Sequence, residues 1–428
     1  MELSRISENF LHYVWKFGLF DKNHLTTVKG ETVKIINAGL HNHDAGPDFS
    51  SGQLIIDDKK WIGNIELHIC SSDWNKHAHD DDDNYRNVIL HVVYIDDAEI
   101  KSLITNNVPT LVLKDRIDPQ IFKNYLALQS SETEILCSSH LANVNPLIIT
   151  GMIEKCSTER LANKSVEIER IFSFTENDWE KTFYILLGKY FGVSVNTDPF
   201  ERLTRSLDLH ILYKHRADPT QIEALLHGQS GILPSSHTDP VVSHLITEYD
   251  FLKQKYKLSP LPFSVWKFAR MRPVSFPTIR ISQFADLIAS KEFLFSSIIK
   301  SDKPEEIIAL LDCKASEFFN THYHFSKESN YLEKKLGKNT KELLVINAVA
   351  PLLYFYGIKM DDRSIIDNAL ILLESLKSEK NKIIRTWNAE GVTSQDALQS
   401  QGLIELTKSY CRNKRCVDCN IGYQVLKA

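Results

Sequence analysis

The chain has 428 residues, of which 43% are hydrophobic and 25% charged, and its formal net charge is −5. Such a length predicts about two or three domains, each able to bury a core. The acidic balance excludes a global attraction to nucleic acid, and no apolar run reaches the roughly 18–20 residues needed to span a bilayer.

The N-terminus lacks the basic-then-apolar pattern of a secretory leader. Ile6, Phe10, Val14 and Phe17 recur at helical spacing and predict a helix with one apolar stripe, ended near Gly18. Thr32–Ile36 reads as a strand, followed by a loop over 39–46 rich in His and Asn. A second strand is expected from Phe49 to Asp57, and the turn Asp57–Lys60 leads into a third over Trp61–Cys70. Residues 71–87 read as a loop with a short helix. Val88–Tyr94 is almost continuously apolar, the composition of a strand covered on both faces, and Val108–Lys114 adds another.

From about residue 145 the spacing turns helical. Helices are predicted over 147–172 and 179–191, then near 200–214, 239–256, 281–299, 304–311, 341–356, 363–376 and 394–410. Pro260, Pro262, Pro273 and Pro277 make 258–280 an extended connector. The expected organisation is an α/β domain over 1–125, a helical region over 145–405 and a cysteine-rich tail over 406–428.

Candidate chemistry concentrates between residues 46 and 94, in Gly-Pro-Asp48-Phe, Glu66-Leu-His68, Ser-Asp-Trp-Asn-Lys-His77-Ala-His79 and Asn-Val-Ile-Leu-His91-Val-Val-Tyr. A carboxylate or imidazole projecting from a buried strand is costly unless paired, and a divalent metal is the usual partner for such a set. Glu66 and His68 are two apart and so share one face of a strand, where Asp48 on the adjacent strand can meet them. Asp48 and Glu66 suit Mg²⁺ or Mn²⁺, while His77, His79 and His91 as further ligands allow a nitrogen-richer site for Mn²⁺ or Zn²⁺. Structural roles stay open to the same residues. Asp48 can serve a turn or cap, Glu66 and His68 a cross-strand pair, and His91 a hydrogen bond in the core. His77 and His79 are ligands only if their loop folds back. Asp80–Asp83 reads as a solvated loop, and Asp73 as a helix cap.

Helix, three strands, connecting helix and fourth strand is the order of the restriction-endonuclease-like core. Pro47-Asp48 and Glu66-Leu-His68 resemble the PD-(D/E)XK signature of that superfamily, with His68 where the family has lysine. The resemblance implies an α/β N-terminal domain, a mixed sheet flanked by helices, ahead of a large all-α region. It also implies a metal-dependent nuclease in which Asp48 and Glu66 hold the metal. His68 would then replace lysine as the proton-transfer group or phosphate contact. Histidine titrates near neutrality, so this exchange implies either altered chemistry or lost catalysis.

Cys411, Cys416 and Cys419 stand at C-x4-C-x2-C spacing beside Arg412, Lys414 and Arg415, which favour ionised thiolates. A zinc site or an iron–sulfur cluster there needs a fourth ligand, for which Cys137 is the first candidate and His140 the second. Some helicase-associated nucleases of the same superfamily tie one distant cysteine to three C-terminal ones around an iron–sulfur cluster, at a different spacing. The alternative is a reduced, exposed cluster. Cys70, Cys156 and Cys313 read as small buried apolar residues. An odd total of seven cysteines fits a reducing cytoplasm better than a disulfide framework.

In the connector, Lys267, Arg270, Arg272 and Arg280 could contact phosphate while Trp266 and Phe276 stack on bases. The competing reading has the aromatics anchor the segment on the helices. Taken in order, these motifs resemble a bacterial family of unknown function over essentially the whole chain. The functional expectation is a cytoplasmic, metal-dependent nuclease acting on DNA or RNA, without a membrane segment. A catalytically inactive nuclease-fold module that binds nucleic acid or protein is the alternative, and a metal hydrolase of another phosphoester the third possibility.

Overall fold

The computed structural model describes residues 6–42, 45–193, 195–301 and 303–427. Positions 43 and 44, within the loop expected at 39–46, lie outside the described residues. The first helix, α1 (Glu8–Phe17), begins at Ser7, whose hydroxyl accepts the Phe10 N–H, and closes at Gly18 in the left-handed region (φ 59°). The serine satisfies one of the orphan donors of the first turn, and only glycine takes that closing conformation without a Cβ penalty. The helix buries Phe10, Leu11, Tyr13, Val14 and Trp15 and packs against the strand that carries the site.

The sheet is built from β1 (Val33–Asn37), β2 (Leu40–His41), β3 (Phe49–Ile56), β4 (Lys59–Cys70), β5 (Val88–Ile95) and β6 (Thr110–Val112). Its order is β1-β3-β4-β5-β6, with β2 paired to β3. The first pairings are antiparallel, whereas β5 lies parallel to both β4 and β6. Asp57 and Asp58, both at positive φ, make the tight turn between β3 and β4, as the right-handed twist of paired strands requires. β5 is buried from Val88 through Tyr94, which confirms the expected coverage of both its faces. α2 (Asp73–Lys76), α3 (Lys101–Thr105) and α4 (Pro119–Ser130) complete this part of the chain.

Two compact units emerge. The first comprises Met1–Ile153, Lys382–Thr393 and Leu403–Ala428, so the cysteine-bearing tail belongs to it. The second, Glu154–Asn381 with Ser394–Gly402, is mostly helical and closes around a core drawn from Leu161 to Ala397. The helices expected over 179–191 and near 239–256 occur as Trp179–Phe191 and Pro240–Tyr256. The connector differs from expectation. Short turns cover Phe263–Val265 and Pro273–Ser275, and a helix already starts at Pro277 and runs to Ser290. Proline is well placed at the first helical position, where its missing N–H would have no partner anyway.

The helical stretch 338–360 is long and apolar enough to cross a membrane by length and composition, contrary to the sequence expectation. Of its apolar window 61% is buried inside the structure, the pattern of a core helix.

Candidate metal centre

The site is organised around β4, whose first residues, Lys59 to Ile62, are exposed while the half carrying Glu66 and His68 is buried. Alternation puts both side chains on one face. Antiparallel pairing of Phe49 with Ile65 brings Asp48 alongside, and parallel pairing sets His91 opposite Glu66. Asp48 and Glu66 are tied through the backbone. The Asp48 N–H donates to Glu66 Oε2 (3.0 Å), and Asp48 Oδ2 accepts the Leu67 N–H (2.9 Å).

The loop after β4 folds back onto this face. Asp97 accepts hydrogen bonds from Ser71 and Ser72, and Asp73 Oδ2 accepts the Cys70 N–H at 2.9 Å, which pins the exit of the strand. Asp73 therefore holds the strand end rather than capping α2. Asp80, expected to be merely solvated, accepts the Trp74 indole N–H at 2.7 Å. Between His77 and His79, Ala78 sits in the left-handed region (φ 55°), a conformation that costs an L-residue roughly 1–2 kcal/mol. This reversal turns both imidazoles toward His68.

His68 Nε2 lies 3.2 Å from His77 Nδ1 and 3.2 Å from His79 Nε2. Donor nitrogens of the trio all fall within 4.8 Å of one another. Glu66 Oε1 is 3.3 Å from His79 Nε2 and 3.6 Å from His68 Nε2. Metal–nitrogen bonds of about 2.0–2.1 Å put neighbouring ligand atoms about 3.0–3.4 Å apart, so the spacing fits a shared ion. Chemistry agrees, because a neutral imidazole carries one N–H and the single His68 Nε2 cannot satisfy two facing nitrogens. Three imidazoles suit a transition metal such as Zn²⁺ or Mn²⁺ better than Mg²⁺, which prefers oxygen.

Burial holds His68 well below the usual histidine range, to about 2, with His91 and His79 adding to the effect. Burial likewise lowers His91 to about 3 and raises Glu66 above the ordinary carboxylate range. His91 Nε2 meets His68 Nδ1 at 2.9 Å, on the opposite edge of the ring from the trio. His91 thus stands behind His68, where an orienting partner belongs. Trp74 contacts His68, His79 and His91 edge-on, and Tyr85 stacks on His79 with ring centroids 3.8 Å apart. His77 is exposed and opens the cluster to solvent.

Two residues of α1 join the site without any sequence signal. His12 Nε2 lies 3.1 Å from Asp48 Oδ2. Glu8, whose carboxyl burial raises, lies near enough to feel His77, Asp48 and His12. A polar residue between Leu11 and Tyr13 looks like any helix position until the strand beneath it is known.

The remaining expectations fare differently. Among the described residues no three cysteine sulfurs lie within 4.8 Å of one another. Cys137 faces Cys419 and Cys416, yet burial pushes its thiol up to about 12 and that of Cys416 likewise to about 12. The geometry therefore gives no support to a separate zinc or iron–sulfur centre at Cys137, Cys411, Cys416 and Cys419. In the connector Lys267, Arg270 and Arg272 are exposed. Arg280 is not: it is 6% exposed and bonds to Gln283 and Thr340, so it presents nothing to a phosphate. Trp266 is buried too, its indole N–H on the Ser230 carbonyl at 2.8 Å, so it anchors the segment on the helices, as the competing reading had it, and is not open to a base.

Fold and site together define a two-unit protein whose mixed α/β unit carries a histidine cluster able to hold a metal ion. The chain belongs to a family of proteins of unknown function, DUF2851, which it matches over residues 8–382. No curated protein and no solved structure matches it.

Proposed function

We propose that the first unit is a metal-dependent hydrolase of phosphodiester bonds in DNA or RNA, built on a restriction-endonuclease-like core. The observation that carries this reading is the convergence of His68, His77 and His79 with Glu66 beside Asp48, at the strand positions of the PD-(D/E)XK signature. A divalent metal held by the trio would supply Lewis-acid activation of water and of the scissile phosphate. His91 orients His68, leaving its Nε2 lone pair toward the trio. The His12 imidazole, in contact with Asp48, is the group best placed to move a proton at the solvent side.

The test is metal analysis of purified protein, followed by cleavage assays on single- and double-stranded DNA and RNA in Mg²⁺, Mn²⁺ and Zn²⁺. Cleavage that disappears in Asp48→Asn, Glu66→Gln and His77→Ala, with folding intact, supports the proposal. Absence of cleavage by metal-loaded protein sinks it. One observation favours a second reading, the inactive binding module. His68 is kept uncharged, so it cannot give the permanent cation that lysine offers near the attacked phosphate. Nucleic-acid binding without cleavage in any metal would select that reading.

A further inference from the structure

A cavity of about 500 Å³ opens beside the carboxylate edge of the cluster, within the first unit. His12, in contact with Asp48, forms one wall of it. Asn9 and Lys16 extend that wall along α1, Asn42 comes from the loop before β3, and Lys414 with Arg415 comes from the tail. A cavity of this size is within the roughly 300–1,000 Å³ that encloses one small ligand, too small for a duplex.

The charges at its edge are unbalanced. Arg415 pairs with Asp418 at 2.9 Å, which cancels one cation. The Lys414 ammonium instead rests on the neutral carbonyl of Gln129, and Lys16 lies over the Phe17 ring, 5.5 Å from its centroid. Among the described residues neither lysine is within ion-pair reach of a carboxylate. Two uncompensated ammonium groups therefore face one polar cavity in a chain of net charge −5. The amide side chain of Asn9 adds a hydrogen-bond donor, while that of Asn42 is spent on the Ala45 and Pro47 carbonyls of its own loop. Lys414 is in the left-handed region (φ 52°), where it closes the preceding helical turn, with the Arg415 N–H on the Tyr410 carbonyl.

We propose that this cavity holds one phosphate-bearing nucleotide of a single-stranded polynucleotide, next to the bond presented to the histidine cluster. Lys16 and Lys414 contact the phosphate, and the amide of Asn9 donates to its oxygens. The assignment rests on the hydrolase reading above for its direction, with the strand running from the cavity toward Asp48.

The experiment is equilibrium binding of a short fluorescent single-stranded DNA, and of RNA of the same sequence, to the full chain in EDTA across a salt series. The variants are Lys16→Gln alone and Lys16→Gln/Lys414→Gln, with Lys267→Gln/Arg270→Gln/Arg272→Gln as control. Removing two phosphate contacts should lower the slope of log affinity against log salt by about 1.4 and weaken binding on the order of tenfold at low salt. The control should bind as wild type, and inorganic phosphate should compete. No binding by wild type, an unchanged slope in the double variant, or loss in the control overturns the cavity assignment. Equal competition by an acidic peptide overturns the phosphate preference. Binding that depends on Lys16 and Lys414 without cleavage in any metal leaves the cavity standing and sinks the hydrolase. Cleavage with unchanged affinity in the double variant does the reverse.

Discussion

Burial beneath Trp74 and among further imidazoles fixes His68 and His91 in their neutral forms, and this has a consequence for stability. An unfolded histidine titrates near about 6.5. Between that value and the folded values of about 2 and about 3, the unfolded chain binds more protons, so stability rises with pH in this window. The contribution is complete above about 6.5 and is lost as pH falls below it. Glu66, raised by burial, acts in the opposite sense, gaining stability as it is protonated. Comparing wild type with His91→Gln isolates one imidazole from that background. In EDTA the thermal midpoint of wild type should fall between neutral and mildly acid pH more steeply than that of the variant. Parallel curves would remove the argument. The same substitution should weaken metal affinity about 10–100-fold, as loss of an orienting partner does. His77→Ala should cost more affinity and little stability, because His77 is an exposed member of the trio; titration calorimetry with Zn²⁺ and denaturant unfolding read the two effects separately.

At the scale of elements, the loop between β4 and β5 decides whether there is a site. Its His-Ala-His turn converges only because Ala78 takes a left-handed backbone. A β-branched residue resists that conformation more strongly, so Ala78→Val should lose about 1–2 kcal/mol of stability and weaken metal binding. Ala78→Gly should stay within about 1 kcal/mol of wild type and keep the metal. Denaturant midpoints and zinc titrations check both, and a valine variant that binds as wild type would show that the reversal is not needed. Legibility in the sequence follows the same physics. The strands could be read because β-branched and apolar runs bounded by Asp-Asp and Gly turns leave few alternatives, and α1 because one apolar stripe meets a glycine stop at Gly18. The helix Pro219–Gln229 could not be read. From Ile222 to Gln229 every residue is buried, including Glu223, His227 and Gln229, so no polar face produces a helical period. Glu66, His68 and Asp48 stood out because polar residues inside apolar strands demand partners. His12 did not, because a histidine on a half-exposed helix demands none.

At the scale of the molecule, the tail is a structural part of the first unit rather than an appendage. The expectation of a separate segment over 406–428 arose because its cysteines dominated the sequence, whereas its apolar residues do the packing. Helix Asn420–Lys427 buries Ile421, Val425 and Leu426 to 4% exposure or less. Its Val425 and Leu426 carbonyls accept from Asn124 on α4, and the Tyr423 ring packs 4.6 Å from Phe17 on α1. Full burial of three aliphatic side chains contributes roughly 5–9 kcal/mol, comparable with the about 5–15 kcal/mol by which whole domains are stable. Ending the chain at Cys419 should therefore unfold the first unit, including the sheet that carries the histidine cluster, and abolish zinc binding. The second unit draws its core from Leu161 to Ala397 and owes nothing to that helix. Limited proteolysis of the truncated chain should accordingly digest the residues before 153 and spare a helical fragment. A protease-resistant N-terminal fragment that still binds zinc would mean that the sheet supports the site unaided.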